Sequence, residues 1–146
     1  MPPPHARTHH ADVDTASVMA WVALYEQVWR DDDVAGVDRL FTPDAHYLRS
    51  PYEQPLVGLD AIRAFWADPT PFTMTASPVA VQGQDAVVRV EVQYGGDDPQ
   101  EYRDLWVLRF AEDGRAELFE EWAYWPDKSY TSSAAAAEPG GEAQAG

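Results

Sequence analysis

DAVVRVEVQYGGDDPQEYRDLWVLRFAEDGRAELFEEWAYW, residues 85–125, holds three runs of alternating apolar and polar side chains joined by glycine-bearing turns. Ala86, Val88, Val90, Val92 and Tyr94 fall on one face, opposite Val87, Arg89, Glu91 and Gln93. The next run puts Tyr102, Asp104, Trp106, Leu108 and Phe110 together, with Glu101, Arg103 and Arg109 on the reverse. A period of two is the mark of a strand with one buried face. Gly95-Gly96-Asp97-Asp98-Pro99 and Asp113-Gly114 are short turn sequences, so consecutive strands pair as an antiparallel meander. A further strand begins near Phe72, which makes four long ones from there to Trp125.

Upstream, the period changes. Val18, Trp21, Val22, Tyr25, Val28 and Trp29 recur at helical spacing after Asp14 or Thr15, either of which can cap the helix. Asp31-Asp32-Asp33 is unfavourable at a helix C-terminus and favourable at the next N-terminus. Val34, Val37, Leu40 and Phe41 read as a second helix stopped by Pro43. Leu59, Ile62, Phe65 and Trp66 read as a third, ending at Pro69. Helices followed by strands predict an α+β domain, a curved antiparallel sheet wrapped around three helices to form a cone with one open end. Trp21, Tyr25, Val28, Phe41, Ile62, Phe65, Val90, Trp106 and Leu108 all point to its interior.

One domain, residues 14–127, accounts for the patterned sequence. Residues 1–13 are proline-rich without periodicity and 128–146 are low-complexity, so both ends are expected to be disordered. A formal charge of −15 disfavours nucleic acid and anionic membranes as partners. The absence of cysteine removes disulfides, a thiol nucleophile and Cys-ligated metal. No stretch reads as a signal peptide or reaches the ~18 apolar residues of a membrane span, so a soluble cytoplasmic protein is expected. No phosphate loop, nucleophile elbow or dinucleotide fingerprint occurs, and no histidines inside the domain have metal-ligand spacing. Neither a cofactor nor a metal is expected.

LYEQVWRDDDVAGVDRLFTPDAHYLRSPYEQPLVGLDAIRAFW (24–66) and DLWVLRFAEDGRAELFEEWAYWP (104–126) carry a resemblance. The Leu-Phe-Thr-Pro-Asp-Ala corner, Gly58 and the Phe-x-x-x-Gly-Arg hairpin resemble SnoaL-like domains of the nuclear transport factor 2-like (NTF2-like) superfamily. The resemblance implies a cone enclosing an apolar pocket, and dimers through the outer sheet face. Members include ketosteroid isomerase, limonene epoxide hydrolase, scytalone dehydratase and polyketide cyclases. Tyr25 matches the isomerase's oxyanion tyrosine, but Arg49 or Ser50 and Trp106 stand where its two acids would be. The hydrolase's Arg-x-Asp pair is replaced by adjacent Arg103 and Asp104, which alternation sends to opposite faces. The cyclases' two strand carboxylates correspond to Asp104 and to Glu121 or Glu120.

Asp104 interrupts an otherwise apolar face, where desolvation would raise its pKa and make it an acid or base near neutrality. Glu121 and Glu120 are neighbours on a strand, so one faces inward; the family hairpin at Gly114 favours Glu121. Asp104 and Glu121 are the expected proton-transfer pair, with Tyr25 polarising an oxygen. Trp21, His46, Arg49, Phe65, Tyr102 and Trp106 are the expected ligand-binding residues. The expected ligand is a small apolar or amphipathic molecule and the expected assembly a homodimer. The function is then a cofactor-free isomerase, lyase or hydrolase, including cyclase chemistry; the alternative is a non-catalytic ligand-binding or dimerisation module.

Overall fold

The computed structural model describes residues 12–66, 70–97 and 99–126. Helix α1 spans Thr15–Arg30 and opens on Asp14, whose carboxylate accepts the Ser17 N–H at 2.8 Å. The Asp14 N–H donates to the Ser17 hydroxyl at 3.2 Å, so two otherwise unpaired backbone donors are satisfied. One face of α1 buries Val18, Trp21, Val22, Tyr25 and Val28. The aspartate run then divides its work: Asp31 closes α1, and the Asp33 side chain accepts the Gly36 N–H at 3.0 Å to start the next turn.

That next element is a six-residue 3-10 helix, Val34–Arg39. The expected α-helix running to Pro43 is therefore corrected. Strand β1, Phe41–Leu48, begins before the proline. Pro43 lies where the pairing of β1 slips between Phe41 and His46, so its missing N–H breaks no regular ladder. Strand β2 is Leu56–Val57, helix α2 is Leu59–Trp66, and β3 to β6 are Phe72–Gln82, Asp85–Tyr94, Gln100–Phe110 and Ala116–Tyr124. Gly58 enters α2 at φ 89°, a left-handed conformation that favours glycine, and its N–H donates to the Ala45 carbonyl at 2.9 Å. The expected helix end at Pro69 lies outside the described residues, as do most of the two ends expected to be disordered. Val13 is described, and its N–H donates to the Gly83 carbonyl at 2.8 Å. Among the described residues no helix is long and apolar enough to cross a membrane.

The strands form one sheet in the order β2-β1-β6-β5-β4-β3. The expected curved antiparallel sheet is there from β3 to β6, and the sheet as a whole is mixed, because β1 and β6 pair in parallel. Hairpins force β3 to β6 to alternate in direction, whereas β1 and β6 are distant in sequence and free of that restraint. At one edge, Pro78 sits in β3 beside a register slip between Pro78 and Ala80, a device that blunts an open edge.

The inner face of β4, β5 and β6 closes on α1. Phe119 lies at the centre with no exposure: its ring stacks on Tyr47 at 4.5 Å and Tyr25 at 5.5 Å and meets Trp106 at 5.0 Å. The residues expected inside are buried, except Phe65, which is 39% exposed. Helix α2 is only eight residues long and buries Ile62 and Trp66, a single stripe one turn apart, which turns Phe65 to its margin. Truncating Phe119→Ala should cost about 3–5 kcal/mol of unfolding free energy by urea titration. Val79→Ala, on the exposed side of β3, should change it by less than about 0.5 kcal/mol.

Candidate functional site

Strand alternation settles which glutamate enters the cone. Trp106 pairs directly with Glu121, and Asp104 pairs with Ala123, so Asp104 and Glu121 are diagonal neighbours on the inner face. Glu120 stands on the other face and accepts the Trp122 indole N–H at 2.8 Å. Asp104 is 4% exposed. Its Oδ2 accepts the Trp106 indole N–H at 3.4 Å, a long bond. Glu121 is partly buried.

The two carboxyls share a hydrogen bond that divides their roles. Burial raises the Asp104 pKa, and the bonds from Glu121 and from the Trp106 N–H partly offset that rise by stabilising its anion. For Glu121 every influence acts in one direction: burial, the bond in which it is the proton donor, and the Asp104 charge all push its pKa well above the usual carboxyl range. The pair holds its protons above the ordinary carboxyl range, the second more tightly than the first, because a second charge would stand beside the first. This is the environment-driven separation of acid and base that two neighbouring carboxyls need.

Tyr25 from α1 and Tyr47 from β1 complete the cluster. Their hydroxyls are 3.0 Å apart. One of the two protons is used in that bond, so the pair retains one donor for another acceptor. Burial, more than the nearby Glu121 charge, pushes both phenols well above their ordinary pKa, so both stay protonated. The ring of Tyr25 lies 4.5 Å from Trp106 and 4.8 Å from Trp66. Tyr94, Tyr102 and Trp125 meet edge to face at 5.8 and 5.7 Å, and burial together with the Asp104 charge raises the Tyr102 pKa.

Several expected site residues fall elsewhere. His46 points out of the cone, into an open groove of about 560 Å³ lined by Thr42, Pro43, Asp44, His46, Glu117 and Leu118. The inward position of β1 belongs to Tyr47, because alternation gives the interior to Ala45 and Tyr47. Arg49 is exposed and pairs with Glu53 at 2.9 Å; its guanidinium lies 5.4 Å from the Phe65 ring rather than beside the acids. Phe65 itself is a margin residue, 5.3 Å from the Tyr47 ring. Trp21 packs deep among Tyr25, Phe41 and Phe110, with its N–H donated to the Leu40 carbonyl at 2.9 Å, so it serves the core. Tyr25, Tyr102, Trp106, Asp104 and Glu121 do gather. Tyr47 and Trp66 join them without having been singled out from the sequence, although the Ala45-x-Tyr47 alternation was there to be read. Arg103 is exposed and pairs with Glu101 at 3.2 Å, on the face opposite Asp104. Among the described residues no three His, Asp or Glu side chains converge as a metal site.

A family model described as SnoaL-like domain matches residues 21–118. The chain belongs to this family. The match includes Asp104 and stops short of Glu121. No curated protein matches the sequence. Among solved structures, the epoxide hydrolase/cyclase-like enzyme SalBIII, described for its role in pyran ring formation in polyether salinomycin, aligns with a TM-score of 0.64. The identity is 16%, over 73% of this chain and 89% of that one. A ketosteroid isomerase-like protein from Erwinia carotovora atroseptica aligns at a TM-score of 0.58 and 18% identity, over 75% and 95% of the two chains. At such identities the likeness is one of fold, and a shared fold does not fix the chemistry.

Both acids have folded pKa values above the 3.8 and 4.5 of free side chains, so the native state holds protons that the unfolded chain releases. Their contribution to stability is therefore complete below those values and is lost as pH rises through the raised ones. Glu121→Gln removes the part of that loss that Glu121 carries. The melting temperature of the variant minus that of the wild type should grow as the pH rises above the ordinary carboxyl range.

Proposed function

We propose that this SnoaL-like domain is a cofactor-free acid/base enzyme acting on a small apolar or amphipathic molecule, with Asp104 as base and Glu121 as acid. The observation that carries the proposal is the inward-facing Asp104–Glu121 pair, two carboxyls on adjacent strands whose pKa values are both raised, against an aromatic wall. A substrate hydroxyl or a water loses its proton to Asp104 as its oxygen attacks. Glu121 gives its proton to the oxygen that leaves. The proton then held by Asp104 returns to Glu121 along their shared hydrogen bond, which restores the starting state. The proton of the Tyr25–Tyr47 pair that is not used between the two hydroxyls polarises an oxygen of the substrate. Epoxide opening by an internal hydroxyl, ring closure and dehydration all fit this balance of one proton removed and one supplied. The SalBIII likeness in fold is compatible with the first of these.

A panel of hydroxy-epoxides, enones and β-hydroxy ketones, followed by proton NMR, tests the reading. At least one class should be converted, and Asp104→Asn and Glu121→Gln should each lower turnover by roughly 10²–10⁴-fold with the fold retained. Binding of the panel without turnover, unchanged in both variants, would leave a ligand-binding module instead.

The outer face of β5 and β6 supports a second part of the proposal, a homodimer. Leu105 pairs directly with Trp122, and Leu105, Trp122 and Tyr124 are each 40–42% exposed on one face. Val107 and Leu118 extend that face. A contiguous apolar patch of this kind is characteristic of an interface. Leu105→Glu should convert a dimer in sedimentation velocity to a monomer; a wild-type monomer at high micromolar concentration sinks the dimer.

A further inference from the structure

Three indoles are buried among the described residues, and the fold treats them unequally. Trp21 donates to the Leu40 carbonyl and Trp106 to Asp104. Trp66, 4% exposed, has an enclosed Nε1–H with no acceptor. An indole can only donate, so nothing but an acceptor atom relieves it. The one other enclosed and unpartnered side-chain atom among the described residues is an acceptor, Asp104 Oδ1. That oxygen receives no N–H or hydroxyl proton. It has two lone pairs, and the Glu121 proton fills at most one of them. Both orphans belong to the same neighbourhood: the Tyr25 ring touches Trp66 at 4.8 Å and Trp106, which holds Asp104, at 4.5 Å.

Buried polar atoms in native proteins are nearly always paired, and the exceptions call for a reason. Here the donor and the acceptor come from different elements, α2 and β5, and meet around one tyrosine. We infer that they are the two ends of a ligand site for a small apolar molecule with two oxygen functions. Trp66 Nε1–H takes a carbonyl or ether oxygen, and Asp104 Oδ1 takes a hydroxyl. Trp66 is then a specificity-determining residue. Hydrocarbons and molecules with a single oxygen leave one end unpaired and bind less well, because a site built around hydrogen bonds penalises the ligand that lacks them. The inference rests on the reading of Asp104 as part of the functional site and adds the class of molecule it receives.

The two ends can be tested separately by binding, without turnover. The probes are 4-hydroxycyclohexanone, its dione (1,4-cyclohexanedione) and methylcyclohexane, titrated at pH 8 against protein with ¹⁵N-labelled indoles. In the wild type the hydroxyketone should bind at least about tenfold more tightly than the dione, which has no proton for Asp104, and should move the Trp66 indole resonance. Methylcyclohexane should leave that resonance in place. Trp66→Phe should weaken hydroxyketone and dione by a similar factor of about ten. Should that variant fold poorly, benzothienylalanine at position 66 keeps the ring shape, removes the N–H, and should give the same loss.

Asp104→Asn supplies the second arm. The Trp106 N–H retains the remaining oxygen, so the new amide presents N–H where an acceptor stood, and the preference should move from the hydroxyketone towards the dione. Equal affinity for the two probes in the wild type overturns the inference, as does an unmoved Trp66 resonance or no binding at millimolar concentration. An unchanged preference in Asp104→Asn does so too. A protein that shows these preferences and turns nothing over keeps this inference and loses the catalytic one; turnover without them does the reverse.

Discussion

Two carboxyl groups that share a hydrogen bond inside an aromatic wall set the terms for the structure around them. Neither can be fully ionised there without loss of hydration, and together they repel when both are charged. The fold tolerates them because the Trp106 N–H and the Glu121 proton stabilise a single negative charge on Asp104. The register of β5 against β6 makes this possible. With Trp106 opposite Glu121, a slip of one residue would send Glu121 outward and bring Glu120 or Trp122 inside.

The aromatic wall is also the principal source of packing. Phe119, Tyr25, Tyr47, Trp106 and Trp66 contact one another at centroid distances between 4.5 and 5.5 Å along successive pairs. Rings of this size bury much apolar area and hold their neighbours in narrow ranges of orientation. The polar atoms they carry are therefore held as firmly as the rings. Both tyrosine hydroxyls and the Trp66 N–H sit on side chains that already serve the core. Core and candidate site are one set of residues, so substitutions there are read properly only when stability and binding are measured together.

The strand faces were legible because period two is a local property. Ala86 to Tyr94 and Tyr102 to Phe110 took the faces that alternation assigned them, and Asp104 was conspicuous as the polar break in the second. The helix N-terminus at Asp14 and the division of the aspartate run were equally local, resting on dipole and capping. The second and third helices were harder. The second proved to be one short 3-10 segment, because β1 claims Phe41 for the sheet. In the third, Phe65 and Trp66 compete for a narrow stripe that only the neighbouring Tyr25 and Phe41 rings assign to Trp66.

The sequence by itself determined the α+β class, the meander, the inner face and the presence of an acid on it. It could not decide the parallel pairing of β1 with β6, since residues so far apart in the chain carry no local record of which strand they join. His46 and Tyr47 were harder to tell apart: the Ala45-x-Tyr47 alternation favours Tyr47, but the slip near Pro43 interrupts the count from Phe41 along β1. The partners of the functional groups were decided by tertiary structure alone. Tyr25 meets Tyr47, Asp104 meets Glu121 and Trp106, and Trp66 meets no acceptor. Hydrogen bonding depends on distances of a few tenths of an ångström between separate elements, and those are properties of packing.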